Sequence, residues 1–116
     1  MTNEKEPLVS VIIAFLNEER FANAYTRGKF NQKGWGKNKI KQGLKFKKVS
    51  DPLIKKALQS INGDDYLQML LKVIEKKSAL LNEKEPYKRR YKLQQYALSR
   101  GYENDLISDV LKNSDL

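Results

Sequence analysis

The stretch that decides the fold is FLNEERFANAYTRGKFNQKGWGKNKIKQGLKFKKVSDPLIKKAL, residues 15–58. Its apolar residues recur at spacings of three and four, and strict alternation of apolar and polar residues is rare. That period matches a helix face rather than a strand, so the stretch predicts helices. The same spacing continues through the rest of the chain, and we expect an all-α protein.

Local start and stop signals divide this stretch into three predicted helices. Asn17 is expected to cap the first helix, and the GWG turn at residues 34–36 is expected to end it. A short second helix should follow from Lys37. The sequence Ser-Asp-Pro at residues 50–52 predicts the start of a third helix, because proline suits a first turn, where no N–H is required.

Similar signals predict three further helices after residue 63. Asp64 or Asp65 is expected to cap a long apolar helix, Pro86 to open a fifth helix, and Gly101 to end it. A last helix is predicted from about Asn104. Seven apolar residues are predicted to lie in the core: Phe21, Ile40, Leu44, Leu58, Leu71, Ile74 and Leu111.

A shift of 53 residues aligns the chain with itself, placing residues 39–42 on 92–95 and residues 53–54 on 106–107. This predicts tandem three-helix repeats, 17–63 and 64–116, stacked into a curved, elongated body. Residues 1–16 are expected to be a remnant of a preceding repeat or a flexible N-terminal segment.

Positive charge is concentrated in one third of the chain. The chain has 23 Lys and Arg against 14 Asp and Glu, a formal net charge of +9, and residues 20–56 hold twelve basic residues against the single Asp51. Such a block favours binding to a phosphate backbone or an acidic protein groove, and the alternative is a solvated, lysine-rich face. The first candidate surface is Arg20, Arg27, Lys37, Lys39, Lys41, Lys45 and Lys48. The second candidate surface is Lys88, Arg89, Arg90 and Arg100.

Aromatic residues near these charges allow two interpretations. Trp35 could stack on a base, but a lone tryptophan between glycines is more often a packing wedge. Tyr87, Tyr91 and Tyr96 alternate with basic residues as on nucleic-acid-binding surfaces, and they could equally contribute rings to the core.

The composition excludes most catalytic sites. The chain has no cysteine and no histidine, so disulfides, thiolate zinc sites and His-based nucleophile systems are excluded. We expect no enzyme activity, no metal and no cofactor. The longest nearly apolar stretch, residues 8–16, is far shorter than the roughly 20 residues of a membrane span, so we expect no membrane insertion and a cytoplasmic location.

Three motifs resemble the RecX family of regulatory proteins. They are LNEERFA at residues 16–22, the GWG turn followed by Ile40 to Leu44, and LSRGY at residues 98–102. The family usually has three repeats, and this chain resembles the second and third with a remnant of the first. It departs from the family pattern at Lys48, where glycine is usual.

The resemblance implies a function that composition alone does not. RecX proteins bind the RecA recombinase filament on single-stranded DNA and restrain its ATPase, strand-exchange and coprotease activities, in DNA repair, recombination and the SOS response. We therefore expect a monomeric, non-enzymatic regulator with possible direct DNA contact. The alternative is a tri-helical protein that binds nucleic acid directly through its basic second helix.

Overall fold

Six helices form the protein in a computed structural model, which describes residues 7–114 and 116, with side chains from Leu16 onward. No strand occurs among these residues. The helices are α1 (Pro7–Lys33), α2 (Lys37–Phe46), α3 (Asp51–Gln59), α4 (Gly63–Leu80), α5 (Pro86–Ser99) and α6 (Asn104–Lys112). The all-α prediction is confirmed, and α2, α3, α5 and α6 begin where the sequence signals place them. None of the described helices is both long enough and apolar enough to cross a membrane.

The helix starts differ from the predictions at two places. α1 begins at Pro7, ten residues before the predicted start, so Asn17 lies inside the helix; no glycine or proline separates the two positions. Residues 1–6 of the predicted N-terminal segment lie outside the described residues. Asn62, rather than an aspartate, caps α4, and its side-chain oxygen accepts the N–H of Asp65 at 3.0 Å.

The core follows the 53-residue repeat. The aligned pairs Ile40 and Leu93, Leu44 and Ala97, Val49 and Tyr102, and Ile54 and Ile107 are all buried. α1 and α4 cover these pairs with residues spaced by four, which lie on one helix face. The buried residues of those two helices are Ala22, Thr26 and Phe30 on α1, and Tyr66, Leu70, Ile74 and Ser78 on α4.

Three of the seven core predictions are not confirmed. Phe21 is 42% exposed, whereas Leu58 and Leu71 are half-buried. The buried face of α1 consists of Ala22, Thr26 and Phe30, and Phe21 lies one position beside it. Hydrophobicity alone does not indicate this face, because Thr26 at its centre is polar.

The molecule is elongated, with extents of 69 × 23 × 21 Å and a radius of gyration of 18.6 Å. A compact domain of this length would have a radius of gyration of about 13 Å. Packing between helices is concentrated within each repeat, where α1 packs on α2 and α3, and α5 packs on α4 and α6.

The two repeats meet at two turns. The N–H groups of Gly36 and Asn38 donate to the carbonyl oxygens of Arg100 and Gly101, at 2.7 and 2.9 Å. The hydroxyl of Tyr102, a fully buried side chain, donates to the carbonyl oxygen of Gly34 at 2.9 Å. The GWG turn therefore holds the first repeat against the second.

Candidate partner-binding surfaces

A basic groove runs between α2 and α3. The residues that define it are Lys37, Lys41, Lys45, Ile54, Lys55 and Leu58. Its three α2 lysines are four residues apart, so they project from one side of that helix. Half-buried Leu58 supplies apolar surface between the lysines, and buried Ile54 lies at the floor of the groove.

The charge of this groove is largely uncompensated. Lys41, Lys45 and Lys55 are exposed, and none of them forms an ion pair among the described residues. Asp51 is the one acidic residue that lines the groove. A row of unpaired ammonium groups creates a positive potential that favours an anionic partner.

Two lysines of the first candidate surface are partly used in packing. Lys37 is half-buried, and its Nζ lies 4.8 Å from the ring centroid of Tyr66. Lys39 projects from another side of α2, where its Nζ lies 4.7 Å from the ring centroid of Trp35. Both contacts are cation–π interactions.

Lys48 occupies a strained turn. It is exposed, and its φ of 65° makes it the only described non-glycine residue in the left-handed region. Its counterpart in the second repeat, 53 residues later, is Gly101, with a φ of +100°. The turn of the first repeat is therefore made without the glycine that the second repeat has at the equivalent position.

The two arginines of the first candidate surface lie on α1. Arg20 and Arg27 are both exposed. Arg27 lines a separate cleft together with Lys56, between α1, α3 and the start of α4. The structure thus places the basic residues of the first repeat on more than one side of it.

Trp35 packs at the edge of the core. Its half-buried ring meets the ring of Tyr25 edge to face at a centroid distance of 6.4 Å. Lys29 Nζ lies 4.8 Å from the Trp35 ring centroid. These neighbours support the packing interpretation of this residue.

The second candidate surface divides into internal and exposed residues. Arg89 donates to the carbonyl oxygens of Ser78, Glu83 and Leu116, and so helps to close the end of α4. Arg100 donates to the carbonyl oxygen of Lys33. Of this surface, only Lys88 and Arg90 are exposed on α5.

The three tyrosines of α5 also differ in their exposure to solvent. Tyr96 is half-buried, with Lys77 Nζ 5.0 Å from its ring centroid. Tyr87 and Tyr91 are 79% and 57% exposed. Tyr96 is thus partly covered, by Lys77 among others, and the other two rings face solvent.

A buried tyrosine joins the repeats at the end of the basic groove. The Tyr66 hydroxyl accepts the backbone N–H of Lys37 at 2.8 Å and donates to Glu103 Oε1 at 2.5 Å. Burial first, and then the hydrogen bond to Glu103, raise the pKa of Tyr66 above its ordinary value. The carboxylate of Glu103 thereby positions the start of α2.

Sequence reasoning did not single out Lys55, Tyr66 or Glu103. Lys55 belongs to the basic block. It lies four residues after Asp51, and this spacing places it on the same face of the predicted third helix as Asp51. The contact between Tyr66 and Glu103 spans 37 residues, and no local pattern indicates such a contact.

Two family models match the chain. The model of the RecX second three-helix domain matches residues 17–58, and the model of the RecX third three-helix domain matches residues 64–111.

Curated relatives and a solved structure are also similar. "Regulatory protein RecX" of Clostridium perfringens is 33% identical over 84% of this chain and 46% of the relative. The protein of the same name from Clostridium botulinum is 35% identical, over 86% of this chain and 47% of the relative. The one from Haemophilus influenzae is 32% identical, over 82% of this chain and 62% of the relative. The chain thus spans about half the length of the clostridial relatives. The crystal structure of RecX from Lactobacillus salivarius superposes with a TM-score of 0.80, at 22% identity, over 93% of this chain and 71% of that one, which supports the fold.

Proposed function

The chain belongs to the RecX family, and we propose that it binds the RecA filament on single-stranded DNA and inhibits its ATPase, strand-exchange and coprotease activities. It does so by binding, without catalysing a reaction, as a cytoplasmic monomer.

The observation that supports this proposal is the basic groove between α2 and α3. Exposed lysines line it, and half-buried Leu58 offers apolar surface between them. Such a groove suits a protein segment that combines carboxylates with apolar side chains, because charge complementarity selects the partner and apolar burial adds affinity. The DNA of a recombinase filament carries negatively charged phosphates, and the proposal requires acidic protein surface beside them.

The elongated body adds a second means of attachment. The basic groove lies on the first repeat, whereas the exposed residues of α5 lie on the second. Two modest contacts on one rigid body raise the overall affinity for a repeating filament, because the second contact forms at a high effective concentration.

The proposed contacts use the exposed members of both candidate surfaces. On the first repeat these are Arg20, Arg27, Lys41, Lys45 and Lys48, with Lys37 and Lys39 at the edge. On the second repeat they are Lys88 and Arg90. Arg89 and Arg100 are left out of the proposed contacts, because their guanidinium groups donate to backbone carbonyl oxygens.

The experiment is a titration into RecA assembled on single-stranded DNA, with ATP hydrolysis as the readout. A parallel titration on bare strand, followed by fluorescence anisotropy, serves as the control. We expect inhibition at protein concentrations well below those that bind bare DNA. Unchanged hydrolysis at saturating protein would overturn the proposal.

The alternative is direct binding of nucleic acid through α2, which exposes Lys41 and Lys45 on its outer side. Phosphate binding should weaken steeply with salt and should not depend on the recombinase. Equal affinity for bare and recombinase-coated strand would favour this alternative.

A further inference from the structure

The outer face of α5 carries two unpartnered aromatic rings. Tyr87 and Tyr91 are four residues apart and 79% and 57% exposed. Residues at this spacing lie on one helix face, with about 6 Å between their Cβ atoms. Among residues 16–114, neither ring packs against another aromatic ring. The two rings therefore present adjacent flat surfaces to solvent.

The surroundings of these rings are positive. The segment from Lys84 to Lys92 contains five basic side chains and one acidic side chain, that of Glu85. Of the five, Arg89 donates to backbone carbonyl oxygens and Lys92 pairs with Glu83 at 3.2 Å, which leaves Lys84, Lys88 and Arg90 to face solvent. Glu85 accepts the backbone N–H groups of Tyr87 and Lys88 at 3.2 and 2.7 Å, so its carboxylate is occupied at the start of the helix. The exposed groups of Lys88 and Arg90 pair with no carboxylate among the described residues.

The rest of this face is mainly polar, and Leu98, which is 36% exposed, is the one aliphatic side chain that follows on it. Gln94 and Gln95 follow the tyrosines, and the amide of Gln94 donates to Asn104 Oδ1 at 2.9 Å. A protein-binding helix face would instead continue as an aliphatic stripe. Exposed aromatic rings between basic residues and amides are the features with which proteins bind single strands, where bases stack on rings and phosphates meet cations.

We propose that Tyr87 and Tyr91 form a stacking site for two unpaired bases of a single-stranded nucleic acid, and that Lys88 and Arg90 contact its phosphates. The site lies on the second repeat, apart from the groove between α2 and α3. It does not depend on recombinase binding, and it also operates on a bare strand.

The test compares two fluorescently labelled strands of equal length, an oligothymidylate and an abasic strand with the same phosphates. Binding of the full chain to each is measured by anisotropy at low salt. We expect the wild-type protein to bind the thymidylate at least about tenfold more tightly, because only that strand can stack. The double variant Tyr87→Ala/Tyr91→Ala should bind both strands equally, with the affinity that the wild type has for the abasic strand.

Two matched variants separate stacking from charge. Tyr87→Phe/Tyr91→Phe keeps both rings and should behave as the wild type does. Lys88→Ala/Arg90→Ala should weaken binding to both strands alike and lower the slope of log affinity against log salt by about two. Circular dichroism checks that each variant is folded, as the exposure of all four side chains predicts.

Three results would overturn the proposal. The first is equal binding of both strands by the wild type, and the second is no binding to either. The third is a thymidylate preference that persists in the alanine variant. One further result would reassign this face as a protein contact. In it, the wild type binds both strands equally, and the alanine variant loses binding to the filament but not to either bare strand.

Discussion

The backbone N–H of Gly36 donates to the carbonyl oxygen of Arg100 at 2.7 Å, and this hydrogen bond joins the first repeat to the second. The approach is so close that a Cβ on Gly36 would lie 2.4 Å from the carbonyl carbon and oxygen of Gly101. Because those atoms belong to the backbone, they cannot move aside as the end of a side chain would. The orientation of the two repeats thus depends on the absence of a side chain at residue 36.

Gly36→Ala should therefore destabilise the protein. We expect a loss of about 1–3 kcal/mol in the free energy of unfolding, as for other overpacked sites, measured by urea denaturation. Gly28→Ala is the matched control, because a Cβ at Gly28, inside α1, would meet nothing within 4 Å. That control should gain about 1 kcal/mol from helix propensity. Equal midpoints for the wild type and Gly36→Ala would contradict the close approach.

The sequence predicts the helices and the repeat well, because their signals are local. Pro86 at the start of α5 and the alignment of Ile40 with Leu93 depend on residue types and spacings that propensity and periodicity record. The contacts that join the repeats have no such signal. Arg100 resembles other exposed basic residues in the sequence, yet its guanidinium bonds to a carbonyl 67 residues away. The sequence groups Lys39 with the other lysines of the first candidate surface, but its ammonium group lies over the ring of Trp35. Only the three-dimensional packing of the chain shows this contact.

The turn at Lys48 offers a stabilising substitution. Lys48 has a φ of 65°, a conformation in which the Cβ of an L-residue crowds the carbonyl oxygen, at a cost of about 1–2 kcal/mol. Glycine has no Cβ and removes that crowding. Part of the gain is lost, because glycine also increases the conformational entropy of the unfolded chain. Lys48→Gly should thus raise the free energy of unfolding by about 0.5–1 kcal/mol. Lys47→Gly, at a φ of −81°, should lower it. If both variants were destabilised, the left-handed turn would be refuted.

Tyr66→Phe should weaken the junction between the repeats. The substitution removes the hydroxyl that accepts the N–H of Lys37 and donates to Glu103, leaving both groups without that partner. Loss of such partly buried hydrogen bonds should cost about 1–3 kcal/mol in urea denaturation. Tyr87→Phe, which removes a hydroxyl from a side chain that is 79% exposed, should leave stability unchanged. If Tyr66→Phe proved as stable as Tyr87→Phe, the hydrogen bonds would not contribute to the junction, and ring packing alone would hold it.

The same tyrosine predicts a loss of stability in alkali. Burial and the hydrogen bond to Glu103 raise the pKa of Tyr66 in the folded state, so the folded protein binds this proton more tightly than the unfolded chain. The resulting stabilisation is fully present below about pH 10, the ordinary pKa of tyrosine, and is lost as the pH rises further. A series of urea midpoints across this range should show a smaller decline for Tyr66→Phe than for the wild type. Parallel curves would assign the whole decline to groups that both proteins share, such as Tyr102, whose pKa is also raised by burial.

Reversal of charge in the basic groove tests the proposed recombinase contact. Lys41, Lys45 and Lys55 are exposed and form no ion pair among the described residues, so their replacement by Glu should barely change stability. It should weaken inhibition of ATP hydrolysis by at least about tenfold, because like charges then meet at the interface.

The matched control replaces Lys72, Lys76 and Lys112, which are also exposed but lie outside the groove, by Glu. It has the same net charge as the groove variant and therefore the same long-range repulsion from DNA. The proposed contact requires the groove variant to inhibit much more weakly than this control. If both variants lost inhibition equally, net charge rather than the groove would determine binding, and the contact would have to be placed elsewhere on the protein.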